Sequence, residues 1–339
     1  MLPAPVPLSR VPATASFRAH YPRRMPGMPS SPSPTRFAYL GPEGTFAEAA
    51  LSRAIATPEG RRDPQPSVAA ALAAVRSGDA DAALVPLENS VEGSVPATMD
   101  GLADGEPLVI TREVFLDVAF VLAVRPGTAL ADVRSVGSHP HALAQTVGRL
   151  RDLLPGVTPL PTTSTAAAAA AVAAGQVDAA VCAAIAADRY GLETLFGDIA
   201  DHAGAVTRFV LVQAPGPLPA PTGNDKTSLT AVVGDRTGAL LELLQEFAVR
   251  GISLTRIESR PTRQRIGVYS FSLDCEGHVA DPRVGEALAA LHRRCDDVRF
   301  LGSYPRTDGR ENRPVGGESS DAAFTDAGTW LARVRAGAV

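Results

Sequence analysis

Several things are scarce in this chain, and each scarcity removes a class of function. Aromatic residues make up 5% of its 339 residues, too few for a base-stacking nucleic-acid platform. Positive charge is not in excess: 32 Lys and Arg stand against 36 Asp and Glu, a net charge of -4. Such a balance attracts neither nucleic acid nor an anionic membrane surface. The three cysteines, Cys182, Cys275 and Cys295, form no CxxC pair, which supports neither a disulfide framework nor a zinc knuckle and points to a reducing, cytoplasmic setting. No run approaches the roughly 18 consecutive apolar residues of a membrane span. Nucleotide-binding GxGxxG, phosphate-loop GKS/T, GxSxG and HExxH patterns are all missing, so the commoner nucleotide, hydrolase and metalloenzyme templates have no footing.

What is present reads as a folded protein. The 45% hydrophobic and 20% charged fractions are those of a globular chain, and the length predicts two or three domains. Residues 1–35 hold nine prolines, four arginines and no acid. They lack the apolar run of a secretory signal and are expected to form a disordered leader. From Arg36 onward, strand and helix patterns alternate. A strand at 37–40 runs into Gly41-Pro42-Glu43-Gly44-Thr45-Phe46, and helical composition follows. Helices are then predicted over 68–77, 143–153 and the alanine run 166–174, with strands at 82–86, twice within 109–124, at 177–184 and at 209–213. This alternation predicts an α/β domain with a largely parallel sheet.

Four prolines within 214–221 make 214–225 a semi-rigid linker. Between 226 and 306 the order becomes strand, helix, strand, strand, helix, strand, a ferredoxin-like βαββαβ domain. Residues 307–339 are polar and glycine-rich and are expected to be a disordered tail with one short helix at 327–335.

Four segments concentrate chemistry. The Gly44-Thr45 turn offers backbone N–H groups and a hydroxyl at a helix start, suited to a carboxylate; it would serve equally as a plain strand-to-helix join. Glu88, Asn89 and Ser90 follow a predicted strand, where α/β sheets present their ligand crevice, although a solvated loop has the same composition. Ser138-His139-Pro140-His141, with Gln145 beyond, again clusters donors and acceptors. Its two histidines have no carboxylate or cysteine nearby in sequence to complete a metal site. Thr207-Arg208-Phe209 pairs a hydroxyl donor with a guanidinium suited to carboxylates.

In this order, Tyr39–Phe46, Pro86–Ser90, Ser138–Pro140, Ser164-Thr165-Ala166, Tyr190-Gly191-Leu192 and Thr207-Arg208-Phe209 resemble the signature of prephenate dehydratase. Gly238-Ala239-Leu240-Leu241 and Glu258-Ser259-Arg260-Pro261 are similar to the two phenylalanine-binding motifs of that family's regulatory ACT domain. The resemblance covers about residues 36–306. It implies an α/β catalytic region, 36–213, of two lobes like a type II periplasmic binding protein, with lobe 1 about 36–110 and 200–213 and lobe 2 about 111–199. An ACT domain over 226–306 would follow.

The resemblance also implies conversion of prephenate to phenylpyruvate with loss of CO2 and water, without metal or other cofactor. Thr207 would be the donor to the leaving hydroxyl. Glu88, Asn89, Ser138 and Gln145 would share the catalytic site, with Gly44, Thr45, Ser90, Ser164, Arg208 and Phe209 as substrate contacts. Gly238, Ala239, Leu240, Leu241, Glu258, Ser259, Arg260 and Pro261 would form the effector site for L-phenylalanine. A cytoplasmic homodimer or homotetramer is implied, with ACT domains paired side by side. Two positions depart from the family: His141 stands where SHPQ has glutamine, and Ala205 where an asparagine often precedes the threonine. Arogenate dehydratase and a non-catalytic amino-acid sensor are the alternative readings.

Overall fold

The computed structural model describes residues 36–55, 60–202, 204–262 and 268–338; the expected leader, 1–35, lies outside them. The first lobe begins with β1 (Arg36–Leu40), α1 (Phe46–Ala54), β2 (Arg61–Gln65), α2 (Val68–Ser77), β3 (Ala82–Asn89), β4 (Gly93–Ser94), α3 (Pro96–Ala103) and β5 (Val109–Asp117). Phe37, Ala38 and Tyr39 are all buried, because a central parallel strand is covered on both faces. Local signals bound α2: Ser67 accepts from the Ala70 amide, and Gly78 ends the helix at φ +78°, a conformation that favours glycine.

After Asp117 the chain crosses to a second lobe. This contains β6 (Val121–Val124), β7 (Ser135–Ser138), α4 (Pro140–Ala144), α5 (Val147–Leu153), β8 (Thr158–Pro161), α6 (Thr165–Ala173), β9 (Ala179–Cys182), α7 (Ala184–Arg189) and β10 (Glu193–Phe196). The chain then returns to the first lobe as β11 (Val206–Gln213). Sheet orders are β2-β1-β3-β11-β5 and β10-β6-β9-β7-β8. In both lobes one antiparallel strand that has crossed from the other lobe sits beside the third parallel strand, which is the expected two-lobed architecture. Two expectations are corrected here. The first lobe keeps the chain to Asp117 rather than 110, because β5 pairs with β11 along its whole length. The helix expected over 143–153 is two helices, interrupted at Gln145 and Thr146, where Asp201 from the return crossing accepts from the Gly148 and Arg149 amides and its own amide bonds the Gln145 carbonyl.

The C-terminal domain runs β12 (Asp225–Val233), α8 (Ala239–Ala248), β13 (Leu254–Pro261), β14 (Tyr269–Glu276), α9 (Pro282–Arg294) and β15 (Asp297–Pro305), with sheet order β13-β14-β12-β15. This is the ferredoxin-like βαββαβ arrangement. One face of the sheet packs Leu229, Ala231 and Leu273 against Leu243, Phe247 and Leu291 of the two helices. The other carries Ser228, Ser272 and Asp274 and lies against Leu87, Met99, Leu102 and Ile110 of the first lobe. At Gly302, with φ +134°, β15 runs so close to β5 that a Cβ would overlap the Ile110 carbonyl oxygen.

The stretch after Arg306 is ordered rather than the disordered tail expected. Thr307 donates its amide to Glu113, Asn312 bonds the Asp225 carbonyl at 2.8 Å, and the Arg313 amide bonds Glu276. The tail supplies partners to buried polar groups of the domain, which is why it cannot float free. Its helix, α10 (Asp321–Arg335), starts six residues earlier than expected at the Ser320 cap and is tied to α9 by Arg283–Asp321 at 3.2 Å. No helix among the described residues is long and apolar enough to cross a membrane.

Candidate functional site between the lobes

The last residues of β3 and the first of β11 face each other, with Thr207 opposite Asn89 and Arg208 opposite Glu88. Asn89 Nδ2 donates to Thr207 Oγ1 at 2.8 Å. The orientation of that amide is fixed, because Asn89 Oδ1 accepts from the Val91 and Glu92 amides at 2.8 and 3.1 Å. With its oxygen accepting from Asn89, the Thr207 hydroxyl keeps its own proton available to donate. Ser90 locks the same corner: its Oγ accepts from the Val206 amide, and its own amide bonds the Val206 carbonyl.

Side chains alternate faces along a strand, so Arg208 points away from Thr207. Its guanidinium is buried and meets Asp274 of β14 at 2.5 Å, Glu113 of β5 at 2.9 Å and the Tyr304 hydroxyl at 2.8 Å. Arg208 does bind a carboxylate, but that carboxylate is the protein's own, and the expected substrate contact is corrected. Glu88 shares this face, 4.0 Å from Arg208, and is not brought to Thr207. Phe209 is a core residue packed with Phe37, Tyr39 and Leu116, which corrects its placement as a substrate contact.

From the second lobe, Ser138 is fully buried and donates to the Val181 carbonyl at 2.6 Å. Ser164 caps α6 by accepting from Ala167. Gln145 reaches across the cleft to Glu92 at 2.8 Å, and His141 meets the other oxygen of the same carboxylate at 2.6 Å. The sequence contains no local signal for Glu92, since more than 40 residues separate it from both partners. His139 stacks edge-on against His141; burial, then the neighbouring imidazole, lowers its pKa despite Glu92. Among the described residues no group of three or more His, Cys, Asp or Glu could hold a metal ion.

The glycine turn also joins the lobes. Gly44, at φ +83°, lies against Ala166 and Ala186 of the second lobe, so a side chain there would strain the backbone and press on both. Its amide is occupied by Glu48 Oε2 at 2.6 Å, and the Thr45 hydroxyl donates to the Leu40 carbonyl. The carboxylate expected on this turn is therefore internal. A Thr45-x-x-Glu48 spacing signals such a reach-back, in which the acid satisfies a free amide at the helix start. Arg189 of α7 pairs with Glu48 at 2.5 Å and with Glu43, a second bridge between the lobes.

In the C-terminal domain Gly238 takes φ +84° and begins α8. Ala239 is buried, whereas Leu240 and Leu241 are exposed. On the edge strand β13, Arg256, Glu258 and Arg260 share one face, and Ser259 and Pro261 lie on the exposed other. Arg260 pairs with Asp100 of α3 at 2.9 Å and Glu258 at 3.7 Å. Its guanidinium thus ties the domain to the first lobe.

Comparison with known proteins agrees with this architecture. Sequence profiles match prephenate dehydratase over residues 37–217 and the ACT domain over residues 227–293. A prephenate dehydratase of Mycolicibacterium vanbaalenii is 51% identical over 313 residues, covering 88% of this chain and 98% of its own. The crystal structure of a prephenate dehydratase from Arthrobacter aurescens in complex with L-Phe superposes with a TM-score of 0.83 at 46% identity, covering 88% and 99% of the two chains. A protein described as a novel type of quorum quenching acylase superposes at 0.73 with 33% identity, covering 80% of this chain and 98% of its own. One fold thus carries two named activities, and the reaction has to be argued from the site. A two-lobed α/β region with the Thr207–Asn89 pair at its cleft, followed by an ACT domain, at about half identity over nearly the full length of the relatives, establishes that this chain belongs to the prephenate dehydratase family.

Proposed function

We propose that the chain converts prephenate to phenylpyruvate and is feedback-regulated by L-phenylalanine through its ACT domain. The observation that carries this is the Asn89–Thr207 hydrogen bond, in which Thr207 Oγ1 accepts and so keeps its own proton free to donate. In the reaction the ring carboxylate leaves as CO2. The electron pair of that bond forms a new ring double bond, the neighbouring ring double bond shifts by one position, and the secondary, doubly allylic C–O bond opposite breaks. Thr207, held by Asn89, donates its proton to the departing hydroxide, which leaves as water, and the threonine regains a proton from solvent. Aromatisation supplies the driving force, so the chemistry calls for no metal or other cofactor. Gln145 and Glu92, from opposite lobes, close over the substrate and exclude water.

The exposed Leu241, Val249, Ile257 and Tyr269 and the open edge of β13 support side-by-side pairing of ACT domains in a homodimer or homotetramer, with the phenylalanine site at Gly238–Leu241 and Glu258–Pro261 between them. Phenylalanine must then bind two quaternary states unequally to regulate. A place in phenylalanine synthesis favours the cytoplasm. The test is phenylpyruvate formation from prephenate by purified protein, with and without phenylalanine. Turnover suppressed by phenylalanine is expected; a folded protein with no turnover overturns the reading.

A further inference from the structure

A line of alternating charges runs from the effector motif to the strand that carries Thr207. Arg260 meets Glu258 at 3.7 Å, Glu258 meets Arg256 at 3.4 Å, Arg256 meets Asp274 at 3.2 Å, and Asp274 meets Arg208 at 2.5 Å. Asp274 is fully buried. Burial alone would raise its pKa, yet Arg208 and Arg256, with the Ser228 hydroxyl, hold it well below the usual carboxylate range. It is therefore a fixed negative charge shared by two arginines, one from each domain.

The far end of this line meets an irregularity in the sheet. The β11–β3 register shifts between Arg208 and Phe209, leaving Leu87 without a partner across the ladder. Bulges of this kind bend a strand and re-aim its side chains. Beyond the bulge, Thr207 and Arg208 stay paired with Asn89 and Glu88 of β3 and with Leu116 and Phe115 of β5, and the Arg208 side chain adds a tie to Asp274.

We propose that Arg256 and Asp274 of the ACT domain are positioning residues for the dehydration site, acting through Arg208 to set the backbone that presents Thr207 to Asn89; this rests on the reading of Thr207 as the proton donor. The same line gives the effector a route. A ligand that draws the Glu258 carboxylate toward itself weakens the hold of Glu258 on Arg256, and Arg256 then shifts its share of Asp274 relative to Arg208. No group between the effector motif and Thr207 needs to move far, since each arginine already bridges two carboxylates.

The test uses the full chain with Arg256→Gln and Arg256→Lys. Asp274→Asn is the more direct change, but it strands two buried guanidinium groups without a counter-charge and endangers folding. Arg256→Gln leaves Asp274 paired with Arg208. Steady-state turnover of prephenate is measured together with backbone hydrogen exchange over residues 206–213. Arg256→Gln is expected to lower kcat about 10-fold with KM changed less than about 2-fold, a loss in the range of coupling-residue substitutions. Exchange should accelerate at Thr207 and Arg208 but not at Val210 to Val212. Arg256→Lys, which keeps the charge, should recover most of kcat. An unchanged kcat, or exchange that accelerates uniformly along β11, overturns the proposal. If the unsubstituted chain turns over no prephenate, the assigned reaction fails, and the exchange pattern alone decides whether Arg256 reaches Thr207: selective acceleration supports the link and unchanged exchange removes it.

Discussion

Replacing Asn89 by Asp changes a single group, and the structure gives its consequence. The Val91 and Glu92 amides donate to Asn89 Oδ1, and an aspartate oxygen accepts from them equally well, so the loop keeps its shape. The other position becomes an acceptor facing Thr207 Oγ1 at the 2.8 Å now spanned by the amide N–H. Two acceptors cannot share a contact without a proton, so the Thr207 hydroxyl turns and donates to the carboxylate. Its proton is then unavailable to the leaving hydroxide. Releasing it means breaking a hydrogen bond to a charged group, about 1.5–3 kcal/mol, which corresponds to a loss of about 10- to 100-fold in kcat. Stability should change by less than about 1 kcal/mol, since no buried group loses its partner. Steady-state kinetics and urea unfolding measure both. Adding Thr207→Ala to Asn89→Asp should cost nothing further, because both act on the same proton. If Asn89→Asp keeps more than about a third of kcat, or if the two losses multiply, the assignment of that proton is wrong.

Three further outcomes are expected. Glu92→Ala removes both the Gln145 and His141 contacts across the cleft; exposed pairs contribute under about 1 kcal/mol, so KM should rise about 2- to 5-fold with the thermal midpoint unmoved, and an unchanged KM would show that the contact does not assist closure. Gly302→Ala places a Cβ against the Ile110 carbonyl at positive φ and should destabilise the chain by at least about 2 kcal/mol in chemical denaturation; a wild-type midpoint would contradict the close approach of β15 to β5. Asp308 is pulled to about 2 from the ordinary 3.8: burial raises it, but Arg306 and Lys226 outweigh that, and Asp274 is also held low. Folded pKa values below unfolded ones mean that the unfolded chain binds more protons as pH falls. Their stabilisation is therefore complete above about pH 5 and is lost as pH drops through 3.8 and lower. Unfolding free energies measured against pH should fall in that window, and a rise there would refute the sign.

What could be read from the sequence was what local physics decides. The βαββαβ order of the ACT domain was legible because each element has its own apolar period, and α6 because an alanine run has little choice of conformation. Features set by distant partners were not. The break in the helix after Ser138-His139-Pro140 depends on Asp201, which belongs to the return crossing. The extent of the first lobe depends on β11 pairing with β5, a fact of topology rather than composition. Arg208 illustrates the limit most sharply. Its residue type rightly signals carboxylate recognition, but only the direction of β11 and the docking of β14 determine that the carboxylate is Asp274. Glu48 was legible in principle through its spacing from Thr45. Glu92 was not, since its partners come from the other lobe.

The place of β11 in the first sheet also sets an order of events during synthesis. The second lobe is one continuous stretch, from Val121 to Phe196, and all of its strands are synthesised before Val206 is added. The first lobe must wait, because the strand that fills the gap between β3 and β5 arrives 89 residues after β5 ends at Asp117. Until then, β3 and β5 each present an unpaired edge, a template for joining the wrong chain. Thr207, the proposed donor, enters with the strand that closes this gap, so on that reading the half-made protein is inactive for the same reason that it is most prone to aggregate.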